Sequence, residues 1–113
     1  MKKLRQDIWE LCKQRWCYGK MCYVCGKRKA QTLHHYIPRS RSAYLYYAKH
    51  NLIPICNGCH NKIELHRDPY PVSVILWKKG EKWEREIERD RRVSFKITMG
   101  YLQDLEARLK EAR

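Results

Sequence analysis

In the stretch TLHHYIPRS, Thr32 to Ser40, two histidines stand side by side. Imidazole titrates near neutral pH and binds borderline metal ions, so such a pair can move a proton or hold a cation. Two further spacings concern metal. Cys22 and Cys25 make a C-x-x-C in CYVCG, and Cys56 and Cys59 make a second in CNGCH. Each turn brings two thiolates within reach of one ion, and two turns complete a tetrahedron of sulfurs around zinc. The turns lie farther apart along the chain than in a simple zinc ribbon, so a strand and a loop must fit between them. Cys12 and Cys17 are left over. Cys12 falls on an apolar helical face and reads as a small core residue.

Positioning these groups falls to 113 residues, by size a single domain over 1–113. A chain of this length buries only about two thirds of its unfolded surface, so a metal staple contributes usefully to folding. Leu4, Ile8, Leu11, Cys12 and Trp16 recur at helical spacing, which predicts a helix over 3–16. Residues 31–37 read as a short strand running into the double histidine. The segment 38–50, PRSRSAYLYYAKH, is a basic, tyrosine-rich loop with room for one helical turn. NLIPIC, interrupted by Pro54, reads as an edge strand or extended segment. A short helix over 57–66 opens at Asn57 as its cap. Residues 69–90 read as two helical segments hinged near Gly80, against the strand propensity of Val72, Val74 and Ile75. VSFKI alternates apolar and polar residues over 93–97. Thr98 then caps a last helix with Tyr101, Leu102, Leu105 and Leu109 on one side. The fold class is α+β: a zinc-stapled core at 22–66, an N-terminal helix and lead-in at 1–21, and a mainly helical extension at 67–113.

Read in order, the chain gives His35, Asn51 and His60, with LHHYIP ahead and the two C-x-x-C turns around them. That series resembles the HNH endonuclease family. Its members fold as two strands and a helix around a catalytic metal (the ββα-metal motif), and many carry a four-cysteine zinc clip. The resemblance implies a general base at His35, a metal ligand at His34 and a second ligand at His60. It assigns Asn51 to holding the His35 loop by hydrogen bonds. Glu64, four residues after His60, shares its helical face and is a third candidate ligand. His66 lies on another face and stays outside the site. Adjacent residues of a strand point to opposite faces, so His34 and His35 divide the labour: one ligates, the other faces the attacking water. The resemblance further implies a DNA phosphodiester hydrolase that leaves a 5′-phosphate and a 3′-hydroxyl. Its cofactors would be one structural Zn²⁺ and one catalytic divalent ion, Mn²⁺ or Mg²⁺, with Ni²⁺ and Zn²⁺ as alternatives. CYVCG, HHYIPRSRSA, NGCHNK and KITMGYLQDLEARLK together also resemble the NinG/Rap group of phage recombination endonucleases. That likeness implies branched substrates such as Holliday junctions.

The charge balance agrees with such a substrate. Lys and Arg number 25 against 12 Asp and Glu, a net +13 that points to a polyanion, most simply duplex or branched DNA. No apolar run is long enough to span a bilayer, and MKKLRQDIWE lacks the apolar stretch of a secretory signal. These features suggest a cytoplasmic protein, in a host cytoplasm if it is phage-encoded. Candidate phosphate contacts are Lys27, Arg28 and Lys29 after the first knuckle, Arg39, Arg41 and Lys49 in the loop, and Lys62. Arg39, close to His35, is best placed to grip the scissile or adjacent phosphate. Tyr44, Tyr46 and Tyr47 would stack on unpaired bases or pack over the knuckles. His50 reads as a surface or phosphate-contacting residue, and EKWEREIERDRR as an exposed, salt-bridged helix. The stripe on the last helix would serve the chain's own core or a homodimer seam. The rival reading, a non-catalytic zinc-finger DNA-binding module, leaves His34, His35 and His60 without a role.

Overall fold

The computed structural model describes residues 1–65 and 68–111. Two short strands, β1 (Thr32–His35) and β2 (Leu52–Ile55), pair antiparallel at its centre. Five α-helices surround them: α1 (Lys2–Trp16), α2 (Asn57–Glu64), α3 (Tyr70–Lys79), α4 (Glu81–Asp90) and α5 (Met99–Glu111).

The hairpin is buried on both faces, which is why its sequence lacks the alternation of a half-exposed strand. Leu33 lies opposite Pro54 and His35 opposite Leu52, while His34 lies opposite Ile53 and Thr32 opposite Ile55. Side chains alternate across a strand, so these two sets look in opposite directions. Ile53 and Ile55 enter a core with Cys22, Cys56, Ile75 and Ile87, built from the knuckles and α3–α4. Leu33 and Leu52 enter a second core with Ile8, Cys12, Leu102 and Leu109, built where α1 packs on α5. The sheet thus divides two cores, and the histidine pair straddles it.

Most of the expected elements form, with local differences that have identifiable causes. β1 ends at His35 rather than at residue 37, because the side chain of Asn51 takes both the N–H and the carbonyl of Ile37. The cap of α2 is Cys56, whose sulfur accepts from the Cys59 N–H at 3.5 Å, and Asn57 is already helical. The expected end of that helix and His66 lie outside the described residues. Residues 69–90 form two helices rather than strands. Gly80 joins them at φ 87°, a left-handed conformation that costs glycine little. Residues 93–97 run without a strand partner. Thr98 caps α5 as expected, its hydroxyl accepting from the Tyr101 N–H at 3.1 Å.

Two sequence readings need correction. The loop tyrosines do not cover the knuckles: Tyr47 is buried in the α1–α5 core, Tyr46 packs beside it, and Tyr44 rests against Phe95. α4 is not a purely solvated helix, since Trp83, Ile87 and Asp90 are buried. The α5 stripe serves the chain's own core, as expected, with Leu102 and Leu109 buried against α1. Among the described residues no helix is long and apolar enough to cross a membrane.

Candidate metal and nuclease site

The two C-x-x-C turns meet beside the hairpin. The first is a tight knuckle in which Cys22 N–H bonds Arg28 carbonyl at 2.7 Å and Gly26 turns at φ 64°. Tyr23 N–H bonds the carbonyl of Pro54, which docks the knuckle on β2. The four sulfurs lie within 4.8 Å of one another, and Cys25 Sγ is 4.0 Å from Cys56 Sγ. Tetrahedral zinc with bonds of about 2.3 Å would set its sulfurs about 3.8 Å apart, so the cluster is nearly at its bound geometry. Burial works against the Cys22 thiolate, but backbone donors from Cys25, Cys56 and Val24 outweigh it and bring the thiol down to about 6. Cys59 is pushed up, first by burial and then by its sulfur neighbours. Four sulfurs this close do not all ionise unless a cation sits among them. Together with their spacing, this marks a structural zinc site. Cys12 and Cys17 are both buried away from it, and burial pushes the Cys12 thiol up to about 12.

A second group assembles where α2 packs on β1. His34 from β1 and His60 and Glu64 from α2 offer ligand atoms within 4.8 Å of one another. His60 Nε2 is 3.1 Å from Glu64 Oε1, one helical turn away. His34 is buried, and its Nδ1 has no hydrogen-bond partner. A buried nitrogen left unpaired is costly unless something else satisfies it. It points at Glu64 Oε1 from 4.0 Å, with space for an ion between. Burial holds the His34 pKa down to about 4, helped by the nearby His60, so the ring is neutral and able to ligate.

His35 lines the same cleft from the opposite face of the strand. Its ring stacks on Trp9 of α1, with centroids 5.0 Å apart and planes 11° from parallel. Its Nε2 lies 3.0 Å from the Tyr46 carbonyl. A carbonyl only accepts, so Nε2 carries the hydrogen and Nδ1 keeps its lone pair. Burial is the main reason its pKa falls to about 4, partly offset by the Tyr46 carbonyl.

Asn51 is fully buried and does not reach the cleft. Its Oδ1 accepts from Ile37 N–H at 2.7 Å, and its Nδ2 donates to the carbonyls of Ile37 and Leu45 at 3.1 Å each. It ties both ends of the loop together. Leu45 is next to Tyr46, whose carbonyl orients His35.

Of the expected phosphate contacts, Arg39 and Arg41 line the cleft. Lys27, Arg28, Lys29, Lys49 and Lys62 are exposed but do not line it. His50 is not a free surface residue: its ring bonds Asp90 at 3.0 Å and its carbonyl accepts from Trp83 Nε1 at 2.8 Å. Sequence reading missed Trp9, Glu88 and Arg91, which also line the cleft. Trp9 sits off the apolar stripe of α1, and no spacing links it to His35. Glu88 and Arg91 reach the cleft only through the turn at Gly80.

Comparison with known proteins fits this geometry. Residues 22–64 match the family model of the HNH endonuclease. No curated protein and no solved structure matches the chain. The match implies nuclease chemistry and nucleic-acid binding in general terms. Residues 22–64, which hold all four clustered sulfurs together with His34, His60 and Glu64, are thus similar to an HNH endonuclease domain, and the flanking helices lie outside the match.

Proposed function

We propose that the chain is a metal-dependent DNA endonuclease in which His35 is the general base and His34, His60 and Glu64 hold a catalytic divalent ion. The observation that carries this reading is the unpaired, buried Nδ1 of His34 aimed at Glu64, in a cleft that also holds His35. When bound, the ion supplies charge neutralisation at the phosphate and stabilises the departing oxygen. Mn²⁺ suits the two imidazoles better than Mg²⁺, and Glu64 adds the oxygen donor that both accept.

The residues supply the rest. Water attacks phosphorus and its proton passes to Nδ1 of His35. The bond from phosphorus to O3′ breaks, leaving a 5′-phosphate and, once O3′ is protonated, a 3′-hydroxyl. The Tyr46 carbonyl fixes the tautomer this needs and steadies the imidazolium that forms. A DNA phosphate in the cleft raises the affinity of His35 for that proton, which counters the effect of burial. Asn51 keeps the Tyr46 segment in place through Leu45. Arg39 and Arg41 would grip the flanking phosphates, which positions the strand without reading its sequence. The more distant lysines extend the attractive field.

Plasmid nicking in Mn²⁺ tests the reading. Wild type is expected to nick or linearise, and His35→Ala to lose cleavage by about 100-fold or more while still binding DNA. His35→Ala cutting at the wild-type rate would remove the proposed base. A wild type that binds DNA but cuts no duplex or branched substrate with any divalent ion would favour the zinc-finger binding module.

A further inference from the structure

A second cavity, of about 390 Å³, opens beside the catalytic cleft. Lys2, Arg5 and Trp9 of α1 form one wall, and Arg39, Tyr46 and Tyr47 of the loop form the other. Trp9 and Arg39 also line the catalytic cleft, so the two spaces are neighbours that share a wall. Trp9 stacks on His35, which puts this cavity one aromatic ring from the proposed base.

Its lining is chemically one-sided. It contains three cations and no carboxylate. None of the three cations is ion-paired among the described residues, and the acids of α1 are engaged elsewhere: Asp7 with Lys3, and Glu10 with Lys13. The guanidinium carbons of Arg5 and Arg39 lie 5.5 and 5.8 Å from the centre of the Tyr46 ring. Held against an aromatic ring, a guanidinium still offers its edge N–H donors to a phosphate. Aromatic walls beside anchored cations suit a base attached to a phosphate. The volume is at the low end of ligand pockets, about 300–1,000 Å³, and takes one nucleotide rather than a duplex. A base paired within a duplex is covered by its neighbours and enters such a cavity only if it leaves the stack.

We infer that this cavity binds an unpaired nucleotide of the DNA strand being cut, next to the scissile phosphate, so that the protein selects sites where a base is already out of the stack. The inference rests on the nuclease reading for its place in the reaction, and its binding step can be measured separately.

The test compares two labelled DNAs of equal length, one fully paired and one carrying a single-nucleotide bulge. Anisotropy of the zinc-loaded full chain, without further divalent ion, measures affinity. Wild type is expected to bind the bulged DNA about tenfold more tightly. Arg5→Gln should cut that preference to about twofold or less and weaken paired-duplex binding only modestly. Lys2→Gln, at an exposed helix end that the fold does not need, should shift the preference in the same direction. Equal wild-type affinity for the two DNAs would overturn the inference, as would Arg5→Gln and Lys2→Gln each weakening both complexes alike. Cleavage in Mn²⁺ separates the two claims. Selective binding without any cutting sinks the nuclease reading and leaves the cavity assignment standing. Cutting of both DNAs equally, by wild type and variants alike, does the reverse.

Discussion

Replacing Asn51 by alanine should cost stability and activity together, for one structural reason. The side chain is fully buried and makes hydrogen bonds of 2.7, 3.1 and 3.1 Å to the backbone of residues 37 and 45. Truncation strands one N–H and two carbonyls in a space closed to solvent. Each buried group left unpaired costs about 1–3 kcal/mol, so the loss should be about 3–5 kcal/mol after local rearrangement. Whole domains are stable by about 5–15 kcal/mol, so the variant should remain folded at low temperature. The loop it releases carries the Tyr46 carbonyl, and a base displaced by about 1 Å loses about 100-fold in rate. Urea unfolding of the zinc-loaded protein reads the first quantity, and single-turnover plasmid cleavage in saturating Mn²⁺ reads the second. Asn51→Asp is the companion variant. It keeps an acceptor for Ile37 N–H but sets a carboxylate against two carbonyl oxygens, and should be no better than alanine. A loss below about 1 kcal/mol with an unchanged rate in Asn51→Ala would refute the account of this loop. So would restored stability in Asn51→Asp.

Two other outcomes follow from the metal and proton chemistry. Chelation of the zinc, or Cys59→Ser, should abolish the near-ultraviolet circular dichroism of the Tyr36–Trp83 core, with wild type holding about one zinc per chain; an unchanged spectrum without zinc would contradict a structural role. In the absence of a second-site ion, the unfolding free energy should fall as pH drops from about 6.5 to about 4, because His34 and His35 resist protonation until about 4 when folded but take it up near 6.5 when unfolded. Denaturant midpoints with the zinc retained measure this, and His35→Phe should make the slope shallower while His34 keeps the remainder; a flat wild-type profile in that window would count against burial of the pair.

The cysteine frame was legible because ligand spacing is a local property: two C-x-x-C turns define a site before any fold is known. His34 and His60 were singled out through the family resemblance, and Glu64 through its place four residues after His60 on one helical face. The helical step fixes the last pair with few free variables, and Glu64 Oε1 does lie 3.1 Å from His60 Nε2. The helix pair around Gly80 was readable from one residue whose φ of 87° suits glycine. What sequence could not give was the order of packing. Trp9 meets His35, and Trp83 and Asp90 meet His50, through contacts whose partners are distant along the chain. Nothing in those residues marks the meeting in advance. The charge of +13 likewise pointed to a polyanion but not to which cations face the cleft. Arg39 and Arg41 do, and Lys27 and Lys49 do not.

The packing of α1 on α5 bears on how the protein is made. The knuckle core has all its members once Ile87 has been synthesised, whereas the Ile8–Cys12 core waits for Leu102 and Leu109. On the ribosome, α1 precedes the hairpin it packs on, and its core is completed only when α5 follows. Zinc can therefore be captured before α5 exists, while the helix that carries Trp9, the ring bracing His35, gains its full packing only afterwards.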